Sequence, residues 1–199
     1  MKKGLKRINR GLVLFLVVLI GVLTYLVVQS QIDKKLEPQL RATAEKFVTE
    51  SAKLLVLPEE VRNMSREAYY SEYEVNSEYW DEFSKPLSGF YSNNNLMREY
   101  SEFWFINAVG AQQNAGVYIL SSTPRVLSFG QFSVYKGTAT LKMKVADSVI
   151  LLTREGNERI VDQTFDETIT FVWDEDRWVV SGYQSGRVDW TLLEGVTRW

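Results

Sequence analysis

The 199-residue chain contains neither cysteine nor histidine. The lack of cysteine excludes disulfide bonds, thiol nucleophiles and thiolate metal ligands. The lack of histidine removes the commonest general base and the commonest metal-ligating side chain, so carboxylates and tyrosines are the remaining acid–base groups. A folded domain in this chain must therefore be held together by its own core.

Familiar catalytic motifs are also missing. The sequence has no glycine-rich phosphate loop, no serine nucleophile elbow and no metal-ligand spacing. Asp174, Glu175 and Asp176 form an acidic trio, but the glycine and the distal glutamate of a calcium loop do not accompany them. We interpret the trio as a solvated hairpin turn, and we expect no cofactor and no metal site.

The most informative segment that is present is the apolar run of residues 11–28, which is interrupted only by Thr24. As a helix it would be roughly 27 Å long, close to the hydrocarbon thickness of a bilayer, so we predict a single transmembrane helix. A secretory signal peptide is the competing interpretation, because Val28-Gln29-Ser30 loosely resembles a cleavage site. Signal peptides have apolar cores of about 7 to 15 residues, and this longer run favours an uncleaved anchor.

The charges on either side of the run predict its orientation. The first acidic residue, Asp33, follows the run, whereas the basic residues of the first ten positions precede it: Lys2, Lys3, Lys6, Arg7 and Arg10. The positive-inside rule then places residues 1–10 in the cytoplasm as a basic tail. Everything after residue 28 is expected to be extracellular or periplasmic, on a single-pass protein of the cell membrane.

The exterior part is acidic and of single-domain size. Five of the 23 basic residues precede the run, which leaves 18 basic against 25 acidic residues and a formal charge of −7. Such a balance repels phosphate backbones, so we expect no direct nucleic-acid binding. The 171 residues that follow the run suffice for one hydrophobic core.

Helical periodicity dominates the first half of the exterior part. Residues 29–35 read as a short polar stalk, and apolar residues then recur at helical spacing: Leu36, Leu40, Ala44, Phe47, Leu54 and Leu55. Pro38 is tolerable in the first turn of this helix, and Pro58 closes it. A second helix is predicted over residues 58–73, with Glu59 and Glu60 in its first turn, and a third over residues 96–108.

After Gly116 the hydrophobic period changes to two, which is typical of strands. We predict strands over residues 139–145, 149–152 and 160–173, and a last strand over 178–183 that follows a turn at 174–177. Residues 117–120 or 125–129 supply a further edge strand. Helices first and an antiparallel sheet afterwards predict an α+β domain with the helices packed on one face of the sheet.

The end of this pattern resembles a known superfamily. An aromatic strand (Ile169-Thr170-Phe171-Val172-Trp173), a charged turn and a strand led by Trp178 are similar to the nuclear-transport-factor-2-like superfamily. The resemblance covers residues 36–186 and implies a cone-shaped domain whose curved sheet surrounds a pocket. One span and one exterior domain of this kind resemble the bitopic inner-membrane subunits of conjugation and type IV secretion systems.

Glu167 is the anomalous charge of the long strand. By parity it shares a face with Phe165, Ile169, Phe171 and Trp173. A carboxylate on that face would have a raised pKa and can act as a base, which is the chemistry that enzymes resembling ketosteroid isomerases or dehydratases use in this pocket. We favour the alternative that a bulge or an edge position turns Glu167 to solvent, and we do not expect it to be catalytic.

Aromatic residues are concentrated in residues 69–105: Tyr69, Tyr70, Tyr73, Tyr79, Trp80, Phe83, Phe90, Tyr91, Tyr100, Phe103, Trp104 and Phe105. Core packing is the favoured explanation, and an exposed cluster would suit a protein partner or a glycan. The candidate pocket or partner surface consists of Tyr100, Trp104, Glu167, Phe171 and Trp178. The apolar tail of residues 187–199 is expected to dock on the sheet or on a neighbour.

The sequence therefore predicts a noncatalytic, membrane-anchored assembly or scaffold subunit that contacts other envelope proteins and can form a homo-oligomer. Confinement to a membrane gives such a subunit orientation and a high local concentration beside its partners. An exterior ligand-binding or glycan-binding module is the alternative, and a small-molecule isomerase or dehydratase is a third class. The sequence does not name the partner.

Overall fold

A computed structural model describes residues 10–63, 85–92, 110–174 and 176–187. The chain divides into two compact units, Met1–Gln39 and Leu40–Trp199. Its elements are two helices, α1 (Arg10–Lys53) and α2 (Glu59–Asn63), followed by four strands. Residues 110–115 are also helical. This order confirms the predicted α+β class, with an apolar helix at the N-terminal end.

The apolar run lies in the first part of α1. Its most apolar window has a mean hydropathy of 2.9 and none of it is buried within the chain. Across the described residues, this is the one helix long and apolar enough to cross a membrane. The finding agrees with the predicted single-pass anchor.

α1 is longer than predicted at its N-terminal side and shorter at its C-terminal side. The residues expected to form a stalk, 29–35, are helical, and Pro38 lies inside the helix rather than in its first turn. Proline lacks the N–H that would bond the carbonyl of Lys34, a loss that costs about 3 kcal/mol in a helix interior. α1 ends at Lys53 in tighter turns, where the N–H groups of Leu55 and Val56 bond carbonyls three residues back.

α2 begins at Glu59, one residue after the predicted start at Pro58, and has the predicted Glu59 and Glu60 in its first turn. The N–H of Arg62 donates to the carbonyl of Pro58 at 3.0 Å. The remainder of the predicted second helix and the whole predicted third helix, residues 96–108, lie outside the described residues. Of the predicted tail, residues 187–199, only Arg187 belongs to the described residues.

The four strands form an antiparallel meander in the order β1-β2-β3-β4. Their bounds are β1 Tyr118–Tyr135, β2 Thr138–Leu152, β3 Glu158–Asp174 and β4 Arg177–Ser185. Lys136 and Gly137 turn β1 into β2 with positive φ values of 47° and 76°. A two-residue turn with both φ values positive matches the twist of a hairpin, which explains the glycine.

Two pairs of predicted strands are in fact single strands. Residues 117–120 and 125–129 were expected as alternative edges, and both lie in or beside β1. The predicted strands 139–145 and 149–152 are one strand, β2, because the alternation of burial continues through residues 146–148. The intervening Asp147 continues the buried face of β2 instead of ending the strand.

The core of the second unit lies between the C-terminal part of α1 and the sheet. Phe47 of α1 is buried and makes edge-to-face contacts with Phe90, Tyr91 and Tyr183, whose ring centroids lie 5.4, 6.0 and 5.0 Å from its own. The buried Gln112 joins two elements, because its amide donates to the carbonyl of Leu55 and accepts from the N–H of Ile119. Helix packing thus covers the face of the sheet that carries the candidate residues.

The segment of residues 85–92 covers the edge of β4. The N–H of Val180 donates to the carbonyl of Phe90 at 2.8 Å. The Arg177 guanidinium donates to the carbonyls of Gly89 and Tyr91 at 2.6 and 2.7 Å. The opposite edge of the sheet is β1.

Candidate functional site

Glu167 lies on the core face of β3 and is 1% exposed. The β2–β3 register is continuous on both sides of its pairing with Met143, so no bulge turns the side chain outward. The prediction that Glu167 faces solvent is therefore wrong. The bulge of this hairpin lies on the β4 side, between Thr170 and Phe171, and it leaves the parity of β3 intact.

β4 supplies the hydrogen bonds that permit this burial. The Tyr183 hydroxyl donates to Glu167 Oε1 at 2.6 Å, and the Ser185 hydroxyl donates to the same oxygen at 3.0 Å. Ser185 pairs directly with Glu167 across the ladder, and Tyr183 pairs with Ile169. Within the described part of the chain, Glu167 Oε2 has no hydrogen-bond partner.

A second carboxylate lies on the same face of the neighbouring strand. The Asp147 side chain has no exposed surface, and the Ser122 hydroxyl lies 2.8 Å from its Oδ2. Arg187 Nε is 3.7 Å from that oxygen, which makes an ion pair without a hydrogen bond. We call Ser122, Asp147, Glu167, Tyr183, Ser185 and Arg187 the buried polar cluster.

Arg187 enters the cluster from the segment that follows β4. Its guanidinium lies over the ring of Phe165, 5.5 Å from the centroid, and its backbone N–H donates to Ser185 Oγ at 2.9 Å. Its side chain has no exposed surface, and its three guanidinium nitrogens have no hydrogen-bond partner among the described residues. The ion pair to Asp147, the ring of Phe165 and the nearby Glu167 compensate this buried charge without a hydrogen bond from the guanidinium to a described residue.

Burial sets the protonation of the two acidic partners. Desolvation raises the pKa of Glu167 above its usual value of 4.5, and the hydrogen bond from Tyr183 and the charge of Arg187 oppose that shift in part. Burial also raises the pKa of Tyr183, and the neighbouring Glu167 adds to the shift. The cluster thus favours a neutral phenol and shifts Glu167 toward the neutral acid.

The side chains of the buried polar cluster contact one another inside the domain. Its members come from all four strands and from the segment after β4, and its carboxyl groups are directed at protein groups. With Glu167 1% exposed, a substrate in solvent has no contact with the one candidate base. Among the described residues, no group of three or more acidic side chains is placed to hold a metal ion.

The other predicted site residues do not converge with Glu167 on one surface. Phe171 is fully buried, four residues further along β3. Trp178 is half-buried and lies edge-to-face with Trp173, with 5.8 Å between the ring centroids. Trp173 has the parity of the buried face but is 55% exposed, because it lies at the end of β3 beyond the core.

Several predicted residues fall outside the described ranges: Tyr100, Trp104, Lys2, Lys3, Lys6 and Arg7. Arg10, the last of the predicted orientation charges, is the first residue of α1. Most of the aromatic concentration of residues 69–105 also lies outside these ranges. The described exceptions, Phe90 and Tyr91, pack against Phe47, in agreement with the favoured packing role.

Sequence reasoning missed five charged or hydroxyl members of the cluster, all except Glu167. Asp147 carries a usable signal, because it occupies an apolar parity position between Val145 and Val149 in the same way that Glu167 does in β3. Ser122 and Ser185 carry no such signal, since hydroxyl residues are common on either face of a strand. Arg187 follows the last strand, and no periodicity reaches it.

Comparison with known proteins adds little to this geometry. No protein-family profile matches the chain, and no curated protein matches it. The crystal structure of the intermembrane-space region of the chloroplast protein ARC6 is similar to it at 13% sequence identity. That match covers 72% of this chain and 94% of the other, with a TM-score of 0.39.

Proposed function

We propose that this chain is a noncatalytic, membrane-anchored assembly subunit whose exterior domain contacts other proteins of a cell envelope. The observation that carries the proposal is the apolar part of α1, which is exposed along its length and has a mean hydropathy of 2.9. Exposed apolar surface of this extent is stable in a bilayer and costly in water. A tether to the membrane serves an assembly subunit by confining it beside its partners.

The state of the candidate base supports a noncatalytic role. Glu167 is directed at Tyr183 and Ser185, and both hydrogen bonds are made to one oxygen inside the fold. At 1% exposure its side chain has almost no contact with solvent. The order of helices and meander is also what the proposed membership of the nuclear-transport-factor-2-like superfamily requires, and the proposed setting is a conjugation or type IV secretion system.

In-cell crosslinking of the full-length protein, followed by purification from solubilised membranes, tests the proposal. We expect stoichiometric recovery of other envelope proteins, with channel or ATPase subunits if the setting is a secretion system. Val17→Arg/Ile20→Arg places two charges in the apolar run, at about 2.5 to 3.5 kcal/mol each, and should abolish membrane retention and co-recovery. Thr164→Arg/Thr168→Arg, two arginines on the outer face of β3, is the matched control and should retain both.

Recovery of the wild-type protein alone, with neither partners nor self-crosslinks, would overturn the assembly role. That outcome would favour the alternative function, an exterior ligand-binding or glycan-binding module. Recovery of the wild-type protein in the soluble fraction would overturn the anchor itself.

A further inference from the structure

β1 is an edge strand whose outer side has no backbone partner over residues 127–134 in the described part of the chain. Unpaired edge strands are templates for pairing with another chain. The sequence of this stretch reads nearly the same in both directions: Leu-Ser-Phe-Gly-Gln-Phe-Ser-Val. Its centre lies between Gly130 and Gln131. Two antiparallel copies of such a stretch present equivalent residues to each other.

The register of β1 on β2 shows that this symmetry extends to the faces of the sheet. Phe129 and Phe132 oppose Met143 and Leu141, both of which are buried core residues. A bulge between the two phenylalanines gives them the same face although they are three positions apart. In a two-fold pairing about the centre, Phe129 of each copy opposes Phe132 of the other, on the core side.

The residues of β1 on the outer face of the sheet are also equivalent in the two copies. Ser128 and Ser133 oppose Lys144 and Thr140 of β2, which lie on the side of the sheet away from the core, and both serines are exposed. The same two-fold pairing places Ser128 of one copy opposite Ser133 of the other. This bulge lies on the two-fold axis, so both copies carry it at the same point and the register is preserved over residues 127–134.

Burial differs sharply between β1 and β2 at this edge. Phe129, Phe132 and Val134 are only half-buried, whereas the residues opposite them on β2 are at most 2% exposed. Leu127, at the start of the stretch, is 46% exposed. The apolar core therefore stops at the edge strand, and a strand added there would cover the row of partly exposed apolar side chains.

Charge and proline limit the pairing to these eight residues. No residue of the stretch is charged, so the net negative charge of the exterior part does not oppose contact at this point. Arg125 and Lys136 flank it, and a second bulge of β1, between Val126 and Ser128, ends the symmetric register at Leu127. Pro124 precedes it and cannot donate a backbone hydrogen bond. These features stop the added ladder from extending into indefinite aggregation.

We propose that residues 127–134 of β1 pair antiparallel with the same residues of a second copy, which forms a two-fold dimer with one continuous eight-stranded sheet. The contact is isologous, so it closes after two copies. The proposal names one partner of the assembly subunit, a second copy of the same chain. It rests on the proposed function in one respect only: a shared membrane concentrates the two copies.

Cysteine crosslinking of the full-length chain in its native membrane tests the pairing, because the chain has no cysteine of its own. Gln131→Cys places a single thiol beside the two-fold axis, next to its symmetry mate. Thr164→Cys, at an exposed position of β3, is the control. Under a mild oxidant we expect Gln131→Cys to give several-fold more disulfide-linked dimer than Thr164→Cys. Equal dimer from the two variants would overturn the proposal.

Charge pairs at the two serines test the register. In the Gln131→Cys background, Ser128→Lys/Ser133→Lys sets two like-charge pairs across the axis and should lower the dimer about fivefold. Ser128→Lys/Ser133→Glu sets two opposite-charge pairs at the same positions and should restore it. Equal crosslinking of the two double variants would overturn the register even if Gln131→Cys crosslinks well.

The outcomes separate this proposal from the proposed function. Co-recovery of envelope proteins without crosslinking at Gln131→Cys removes the β1 dimer and leaves the assembly role in place. Crosslinking at Gln131→Cys, together with loss of all envelope partners, removes the assembly role and leaves the dimer.

Discussion

At the scale of single residues, the buried polar cluster couples the stability of the domain to pH. Glu167 is buried between Phe165 and Ile169, where the alternation of β3 otherwise places apolar side chains. The energy of an unpaired charge at such a position is large, so the proton equilibrium moves toward the neutral acid. The same burial makes Asp147 and Arg187 dependent on each other.

We expect stability to fall as pH rises above 4.5, because the pKa of Glu167 is raised in the folded state and the folded protein then binds more protons than the unfolded one. The contribution is fully present below the unfolded pKa and is lost as pH rises through the folded pKa. Glu167→Gln should remove this slope, and denaturant titrations of the full chain in detergent at several pH values measure it. Asp166→Asn, exposed on the same strand, is the control and should keep the slope.

Replacing one member of the Asp147–Arg187 pair should lower the free energy of unfolding far more than replacing both members. Arg187→Met leaves a buried carboxylate without its counter-charge and should lower the free energy of unfolding by about 3 to 5 kcal/mol. Asp147→Leu/Arg187→Met should recover most of that loss, because the pair itself is long, at 3.7 Å, and its guanidinium is poorly compensated. Denaturant titration measures the free energy of unfolding of both variants. A double variant as unstable as Arg187→Met alone would contradict the argument.

At the scale of elements, Gln112 joins the turn that follows α1 to the start of β1. Gln112→Leu would leave the carbonyl of Leu55 and the N–H of Ile119 buried without partners, at about 1 to 3 kcal/mol for each group. We therefore expect a loss of at least about 2 kcal/mol in the free energy of unfolding. Gln113→Leu, which loses one bond of 3.3 Å to Val61, is the matched control and should cost clearly less. Equal losses would contradict a special role for Gln112.

The elements also show where alternation is a reliable guide. Parity correctly placed Phe165, Ile169 and Phe171 on the buried face of β3, since adjacent residues of a strand point to opposite sides. It did not predict that Trp173 would be exposed, because parity reports the face and not how far the covering helix extends. Strand ends were likewise misplaced where a polar residue, Asp147, continued the buried face.

At the scale of the whole molecule, the orientation in the membrane remains a prediction from charge. In intact cells, Thr164→Cys should react with a membrane-impermeant maleimide if β3 lies outside the membrane, as the predicted orientation requires. Asn9→Cys, in the basic tail, should react only after the membrane is permeabilised. The reverse pattern of labelling would contradict the predicted orientation while leaving the anchor in place.

The sequence by itself determined the class of the fold and the apolar anchor, because both depend on local patterns: a long apolar run, a period near 3.6 and a period of two. It also identified Glu167 as the anomalous carboxyl of β3. The tertiary structure alone decided that this carboxyl is buried. Its hydrogen-bond donors lie 16 and 18 residues away on β4, and a bulge sets their register. Pairings of that kind depend on how strands meet in space, which no local pattern encodes.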